Sequence, residues 1–170
     1  AARAAVRQEA DFLATTLQQY HDQLRITRAK MDADVVDEVA AINGLLDQLA
    51  AINGEVPQSS FAGGDASDLK DRRDLIIDQL SRKADIAVNT SDNGQISVLM
   101  AGHNLLQGEN VVHLQIRQTV DNGTSVSRIH YADDGAVAPI SEGRLRGLIQ
   151  ARDEVVPKLL TDLDEMAVGL

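Results

Sequence analysis

"MDADVVDEVAAINGLLDQLAAI", Met31 to Ile52, places apolar residues at 31, 35, 39, 42, 46, 49 and 52. Carried upstream, the same series picks up 13, 17, 20, 24 and 27, with Thr27 tolerated in an apolar slot. Steps of four and three alternate as in a heptad seam, and the two successive fours at Met31, Val35 and Val39 read as a stutter. Gln18, Gln19, Asp22, Arg25, Asp32, Asp37 and Glu38 fill the other faces, as an amphipathic helix requires. The seam of Leu17, Leu24, Met31, Val35, Val39, Ile42, Leu46 and Leu49 therefore predicts one long helix over residues 1–56, ended by Gly54 and Pro57. Gly44 costs about 1 kcal/mol against Ala, but the apolar phase runs through it, so the helix stays whole with Gly44 a place for a bend. "AAING" occurs at 40–44 and again at 50–54. Ten residues is not a helical period, so the two copies face different ways and the echo reads as accidental.

The rest of the chain divides by texture. "PQSSFAGGDAS", 57–67, reads as a loop, with Asp65 or Ser67 able to cap a helix over 68–83. Residues 84–140 then alternate in short apolar segments between turn signals. "DIAVNT" and "QISVLM" flank "SDNG", putting Ile86 and Val88 on one hairpin face with Ile96, Val98 and Met100. A second hairpin turns at Asn122-Gly123 with Val112, Leu114 and Ile116 facing inward, and "AGHNLLQGEN" between the two reads as a bend with one short strand. Ser141 caps a last helix over 141–170, whose seam runs through 145, Leu148, 152, Val155, Leu159 and Leu163 to 166 and 170. Pro157 costs ~3 kcal/mol inside a helix and predicts a kink or break near Val156. The fold class is α+β, mainly α: one elongated domain, a helical bundle with a very long first helix and a small antiparallel β-hairpin region between helices.

Composition narrows the functions. Only two Phe and two Tyr accompany an apolar fraction of 44%, with no Trp, so the core is aliphatic and an aromatic-lined ligand pocket is disfavoured. Sixteen Lys and Arg against 26 Asp and Glu give a net charge of −10, which repels phosphate backbones, so nucleic acid is a poor partner. The absence of Cys excludes disulfides, thiolate catalysis and Cys-ligated metals. No run approaches a membrane span, and "AARAAVRQEA" has neither a signal segment nor an initiator Met, so the chain reads as an internal fragment.

No catalytic or cofactor motif stands out. His21, His103, His113 and His130 have no helical four-residue pairing; His113 and His130 are placed to face each other across the second hairpin, two ligands where zinc needs more. The acidic turns at Asp92, Asp121, Asp133 and Asp134 fail calcium-loop spacing and read as hairpin turns. Asp162, Asp164 and Glu165 read as a solvated acidic face. No catalytic residue, metal or cofactor is expected.

The remaining signal is a repeated element. "LKDRRDLIIDQL", 69–80, and "LIQARDEVVPKL", 148–159, place Arg at the same step of an apolar seam: Leu69, Arg73, Ile76, Leu80 and Leu148, Arg152, Val155, Leu159. An arginine there must find carboxylates or carbonyls, or extend its head to the edge. One reading is an anion-binding site; the preferred reading is that Arg73 with Asp74 and Arg152 with Asp153 are structural pins.

In order along the chain, Ile42, Asn43, Leu46, Ile52 and Asn53; Asp68, Leu69, Asp71, Arg73, Asp74 and Leu80; Leu105, Leu106, Gln107 and Gly108; and Gly143, Leu145, Gly147, Leu148, Arg152 and Asp153 match a known pattern. The chain resembles the family of flagellar hook-associated proteins of type 1, the hook-filament junction proteins. That resemblance implies a structural axial protein of the bacterial flagellum, an adaptor that joins hook and filament by lateral self-assembly into a tubular ring. It implies partners in the hook protein, an adjoining junction protein and an export chaperone, and an extracellular location reached through the flagellar type III export apparatus. The terminal polymerisation segments of the family are absent from this stretch, so a homo-oligomer is expected of the full-length protein and a monomer of the fragment. No nucleic-acid or membrane partner is implied. The alternative is a surface binding module whose β region recognises an export chaperone, a glycan or a host surface.

A single helix over residues 2–56 would be ~80 Å long, whereas a compact chain of this size has a radius of gyration of only ~15 Å. X-ray scattering of the chain should therefore give a radius of gyration well above ~15 Å, and a value at the compact limit would rule the elongated shape out.

Overall fold

A computed structural model describes residues 2–61, 67–121 and 123–168. Helix α1 runs Ala2–Phe61, α2 Ser67–Lys83, α3 Gly143–Gln150 and α4 Val156–Val168, with a π-turn at Ala151–Val155 joining the last two. Six strands lie between α2 and α3: β1 Ala87–Thr90, β2 Ile96–Met100, β3 His103–Gln107, β4 Asn110–Val111, β5 Leu114–Asp121 and β6 Thr124–Tyr131. The fold is mainly α with a small antiparallel β component, as the alternation of helical and two-residue periods predicts.

Contacts divide the chain into two compact units. One holds Val35–Gly147, and the other the residues up to Asp34 with those from Leu148 on. In the first unit, β1 to β4 form an antiparallel sheet in chain order and β5 and β6 form a two-stranded sheet. Val88 lies opposite Val98 in the register the sequence predicts. Beyond the sequence reading, β2 and β3 form a hairpin of their own, closed by Ala101 at φ 49 and Gly102 at φ 82. Two positive-φ residues between paired strands match the right-handed twist of a hairpin. Ile96, Val98 and Met100 of β2, Leu105 and Leu106 of β3, and Val126, Ile129 and Tyr131 of β6 are buried. They share the core with Val35, Val39, Ile42, Leu46, Leu49, Ile52 and Val56 of α1, and with Ile76 and Leu80 of α2. Among the side chains described in this unit, the β-branched and aliphatic residues of strand and helix meet with one buried aromatic, Tyr131.

The second unit is thinner. Leu17, Leu24 and Met31 of α1 are half-buried, and Arg152 and Val156 are the fully buried residues from the π-turn and α4. Expected seam positions Val155 and Leu159 are 50% and 44% exposed, whereas Val156 is buried and Leu160 and Leu163 are half-buried. The π-turn explains the difference. It adds one residue to the helical count, with Val156 N–H reaching back to Ala151 O, so everything after it rotates by about one residue's worth of turn. Pro157 supplies no N–H and would crowd an ordinary α-turn; helical geometry resumes at Val156 after the wider turn, without a break.

Other boundaries move too. α1 does not stop at Gly54 or Pro57 but continues to Phe61, and of the expected loop 57–67 the residues 62–66, including the proposed cap Asp65, lie outside the described residues. The carbonyl that Pro57 leaves without a helical donor is that of Asn53, and Gln95 Nε2 donates to it at 3.1 Å. Gly54 leaves room for Glu109, whose Oε1 would lie 2.9 Å from an added Cβ. Helix α3 begins at Gly143, not at Ser141, because the Ser141 hydroxyl is taken by Asp85 Oδ2 at 2.8 Å.

Gly143 and Gly44 make opposite predictions. Gly143 has φ +79 and an added Cβ would sit 2.6 Å from the Lys83 carbonyl, whereas nothing lies within 4 Å of Gly44 in the middle of α1. Gly143→Ala should lower unfolding stability by about 2 kcal/mol or more, and Gly44→Ala should raise it by up to about 1 kcal/mol. Equal denaturation midpoints for the two variants would contradict the assignment.

Candidate functional site

Several buried polar groups hold elements to one another, and among them is a side-chain amide with no exposure to solvent. Asn53, on the buried face of α1, is 0% exposed. Its Nδ2 donates to Ile96 O at 2.7 Å and Gly108 O at 2.8 Å, and its Oδ1 accepts the Ile96 N–H at 2.9 Å. Asn43 repeats the arrangement on the other sheet: Nδ2 donates to Leu114 O and Oδ1 accepts Leu114 N–H, both at 2.9 Å. Each amide takes the place of a missing neighbour strand at the start of β2 or β5, satisfying backbone groups that would otherwise be buried without partners.

The "AAING" echo is thus functional, not accidental. Ten residues advance a helix by about 280°, so the two asparagines diverge by about 80° and reach two different sheets. The different facing that argued against a repeat is what makes the repeat useful.

The Arg-Asp elements share one contact and differ in the rest. Arg73 Nε donates to Asp74 Oδ1 at 3.2 Å, and Nη1 donates to Gly94 O at 3.2 Å in the turn between β1 and β2. Arg152, 0% exposed, donates Nε to Asp153 Oδ1 at 2.7 Å and Nη2 to Asp153 Oδ2 at 3.0 Å. Its Nη1 donates to Asp32 on α1, and its carbonyl accepts Arg28 Nε at 3.2 Å. Burial disfavours the Arg152 charge, but the carboxylates of Asp153 and Asp32 outweigh it and hold the guanidinium pKa above its usual value. Arg73 grips a backbone carbonyl, whereas Arg152 is enclosed between carboxylates.

Glu38, assigned by the helical pattern to a polar face, is buried. Its carboxylate takes Lys83 Nζ at 3.0 Å and lies 3.8 Å from Arg144 Nε, so α1, the end of α2 and the start of α3 meet at one acid. The sequence signal for it was weak: a Glu adjoining the seam residue Val39, with its cations 45 or more positions away.

The histidines are not where a cross-strand pair would put them. His130 lies opposite Gln115, with its Nδ1 2.9 Å from Gly135 O, while His113 Nε2 pairs with Asp47 Oδ1 of α1 at 2.8 Å. The register sets His113 opposite Ala132, whose N–H its carbonyl accepts at 2.9 Å, two residues from the position that faces His130. His103 stacks on Tyr131 with ring centroids 3.9 Å apart and an interplanar angle of 8°, and its Nε2 is 3.0 Å from Asp133 Oδ2. His103, Asp133 and Asp134 offer three possible ligand atoms within 4.8 Å of one another. Their hydrogen bonds already have an account, since Asp133 also accepts the Asp134 N–H and Asp134 the Ala136 N–H. Desolvation raises the Asp133 pKa, but the Asp134 N–H and His103 outweigh it and leave the carboxyl below its ordinary value; burial, with Asp134 and Asp133 nearby, raises that of Tyr131. Among the described residues no helix is long and apolar enough to cross a membrane.

A helical scaffold carrying a β insert, with its buried polar groups engaged in holding that insert and its own helices, defines a structural protein. The chain belongs to the family described as the flagellar hook-associated protein FlgK helical domain, whose model matches residues 1–170. It is 29% identical over 194 residues to flagellar hook-associated protein 1 of Bacillus subtilis (strain 168), covering 98% of this chain and 38% of that protein. It is also similar to the solved structure of the flagellar hook junction protein FlgK from Burkholderia pseudomallei, with a TM-score of 0.75 and 26% identity over 89% of this chain and 28% of that one. The chain therefore spans well under half the length of these relatives.

Three outcomes follow from this geometry. Asn53→Ala strips partners from three buried backbone groups and should cost about 2–3 kcal/mol, against about 1 kcal/mol for Asn43→Ala. Arg152→Met, which removes the buried guanidinium from Asp32 and Asp153, should cost about 3–5 kcal/mol, and Arg73→Met about 1 kcal/mol. Urea unfolding measures all four, and losses under about 0.5 kcal/mol for Asn53 and Arg152, the size of a surface substitution, would refute the ordering. Asp133 has a depressed folded-state pKa, so its contribution is present above the unfolded value and is lost as pH falls through the folded one. Melting curves through the acidic range should show Asp133→Asn with a shallower acid loss than the parent, and parallel curves would discount the pair.

Proposed function

We propose that this chain is the helical part of a structural axial protein of the bacterial flagellum, an adaptor that joins hook to filament by lateral self-assembly into a tubular ring. The observation that carries the reading is the family match over residues 1–170; the Bacillus relative is named hook-associated and the solved Burkholderia relative a hook junction protein. The use of buried polar groups as internal ties supports it: a subunit that bears load between two polymers needs its elements fixed, not a reactive cleft. In this reading Arg73 with Asp74 and Arg152 with Asp153 act as pins, and the protein is not an enzyme. The full-length protein self-associates, contacts the hook protein and an adjoining junction protein, and is handed by an export chaperone to the flagellar type III apparatus for delivery outside the cell. The net charge of −10 suits subunits that must remain soluble before assembly.

Replacing the native gene by a deletion should leave cells with hooks but no attached filaments, with filament protein shed into the medium. The Asn53→Ala and Arg152→Met variants should fall between deletion and parent in motility, in the order of their stability loss. Normal filaments on the deletion strain would overturn the junction assignment. Substitutions at Val120, 78% exposed near the tip of the β5–β6 hairpin, that abolish binding of a partner yet leave filaments attached would instead favour a recognition role for the β region.

A further inference from the structure

We propose that α4 has two packing registers against the first part of α1, and that the π-turn held by Arg152 selects the one observed. Two apolar stripes run along α4, and they are the same stripe displaced by one residue. The packed stripe is Val156, Leu160 and Leu163, with Ala167 next along it but exposed; their predecessors are Val155, Leu159, Asp162 and Met166. In that second set Val155, Leu159 and Met166 are 50%, 44% and 54% exposed. A π-turn contains one residue more than the α-helix it interrupts. Relaxing Ala151–Val155 to α geometry would bring each predecessor into the place of its successor and turn the exposed stripe inward.

The groove that receives α4 can take either stripe. It is lined by Ala10, Ala14 and Leu17 on α1 and by Leu163 and Ala167 on α4, and retains about 620 Å³ of open space. Ala167 borders this groove opposite small residues and is itself exposed, so Met166 in its place would cover more of the open groove. One substitution weighs against the second register: Asp162 would replace Leu163 on the apolar side. Two features hold the first. Pro157 cannot donate to the Asp153 carbonyl in an uninterrupted α-helix, and Arg152 fastens the widened turn to Asp32 while Arg28 holds the Arg152 carbonyl. The second register is therefore a minor state that the chain keeps within reach, available to a subunit that must adapt one helix face to two surroundings.

The chain has no Cys, so introduced pairs report the register cleanly. His21 Nε2 and Asp164 Oδ1 lie 4.0 Å apart. H21C with D164C, joined by a short bis-thiosulfonate crosslinker, therefore reports the observed register. H21C with L163C reports the other, in which residue 163 takes the place of 164. In an otherwise unchanged chain the first pair should react about tenfold faster or more. D162L, a change at an exposed site that makes the second stripe Val, Leu, Leu and Met, should move the ratio toward the second pair by about tenfold, and P157A should move it the same way. A ratio that shifts less than about threefold in D162L, with cooperative melting preserved, means α4 has a single register and overturns the proposal.

Discussion

A strand that begins against a helix leaves backbone groups facing no neighbour, and this constraint organises the larger unit. Asn53 meets it for β2 and the turn after β3, and Asn43 meets it for β5. The cost of leaving such groups unpaired in an apolar core is of the order of 1–3 kcal/mol each, comparable to the gain from burying an aliphatic side chain, so hydrophobic contact alone would not fix where the sheets sit. The apolar seam of α1 brings the sheets to the helix, and the two amides decide at which residue each sheet stops. Gln95, covering the carbonyl that Pro57 orphans, belongs to the same logic, because it lets the helix run past a proline beside the sheet it supports.

Arg73, Arg152 and Glu38 extend that logic from backbone to charge. Each is a long polar side chain close to an apolar seam, and each is satisfied by partners from another element. Their environments differ in a way that matters for energetics. Arg73 binds a carbonyl and keeps part of its hydration, while Arg152 is buried completely against two half-buried carboxylates. Removing the buried guanidinium from such a set takes away the charge that both carboxylates face, which costs more than the set's net contribution to stability.

How much of this could be read beforehand varied with how local the cause was. The long helix, the 68–83 helix and the Val88–Val98 register follow from periodicity within a dozen residues, and the ordered matches of Asn43, Arg73, Gly108 and Arg152 pointed to the family before any geometry. The misreadings all involve a partner distant in sequence or a change of helical pitch. Pro57 read as a stop because Gln95 lay 38 residues away, and Ser141 read as a cap because Asp85 was out of sight. Val155 and Leu159 read as seam because counting in threes and fours assumes an unbroken α-helix throughout, and the π-turn breaks that assumption at Ala151–Val155. The expected His113–His130 pair missed by a register offset of two: His130 faces Gln115, while His113 falls opposite Ala132, a diagonal step along the same face. The Asn43 and Asn53 pair was in plain view as a repeat; what was missing was the recognition that two copies on different helix faces serve two sheets.

Because both asparagines grip main-chain atoms, the identity of the residues they hold matters less than the path of the backbone. Ile96, Gly108 and Leu114 offer the helix only an N–H or a C=O. A lineage could therefore rewrite the side chains of the β insert almost freely, or exchange one hairpin for another, while the attachment to the helix stayed unchanged. The two amides act as a standard socket, and diversity in the insert is decoupled from the integrity of the scaffold that carries it.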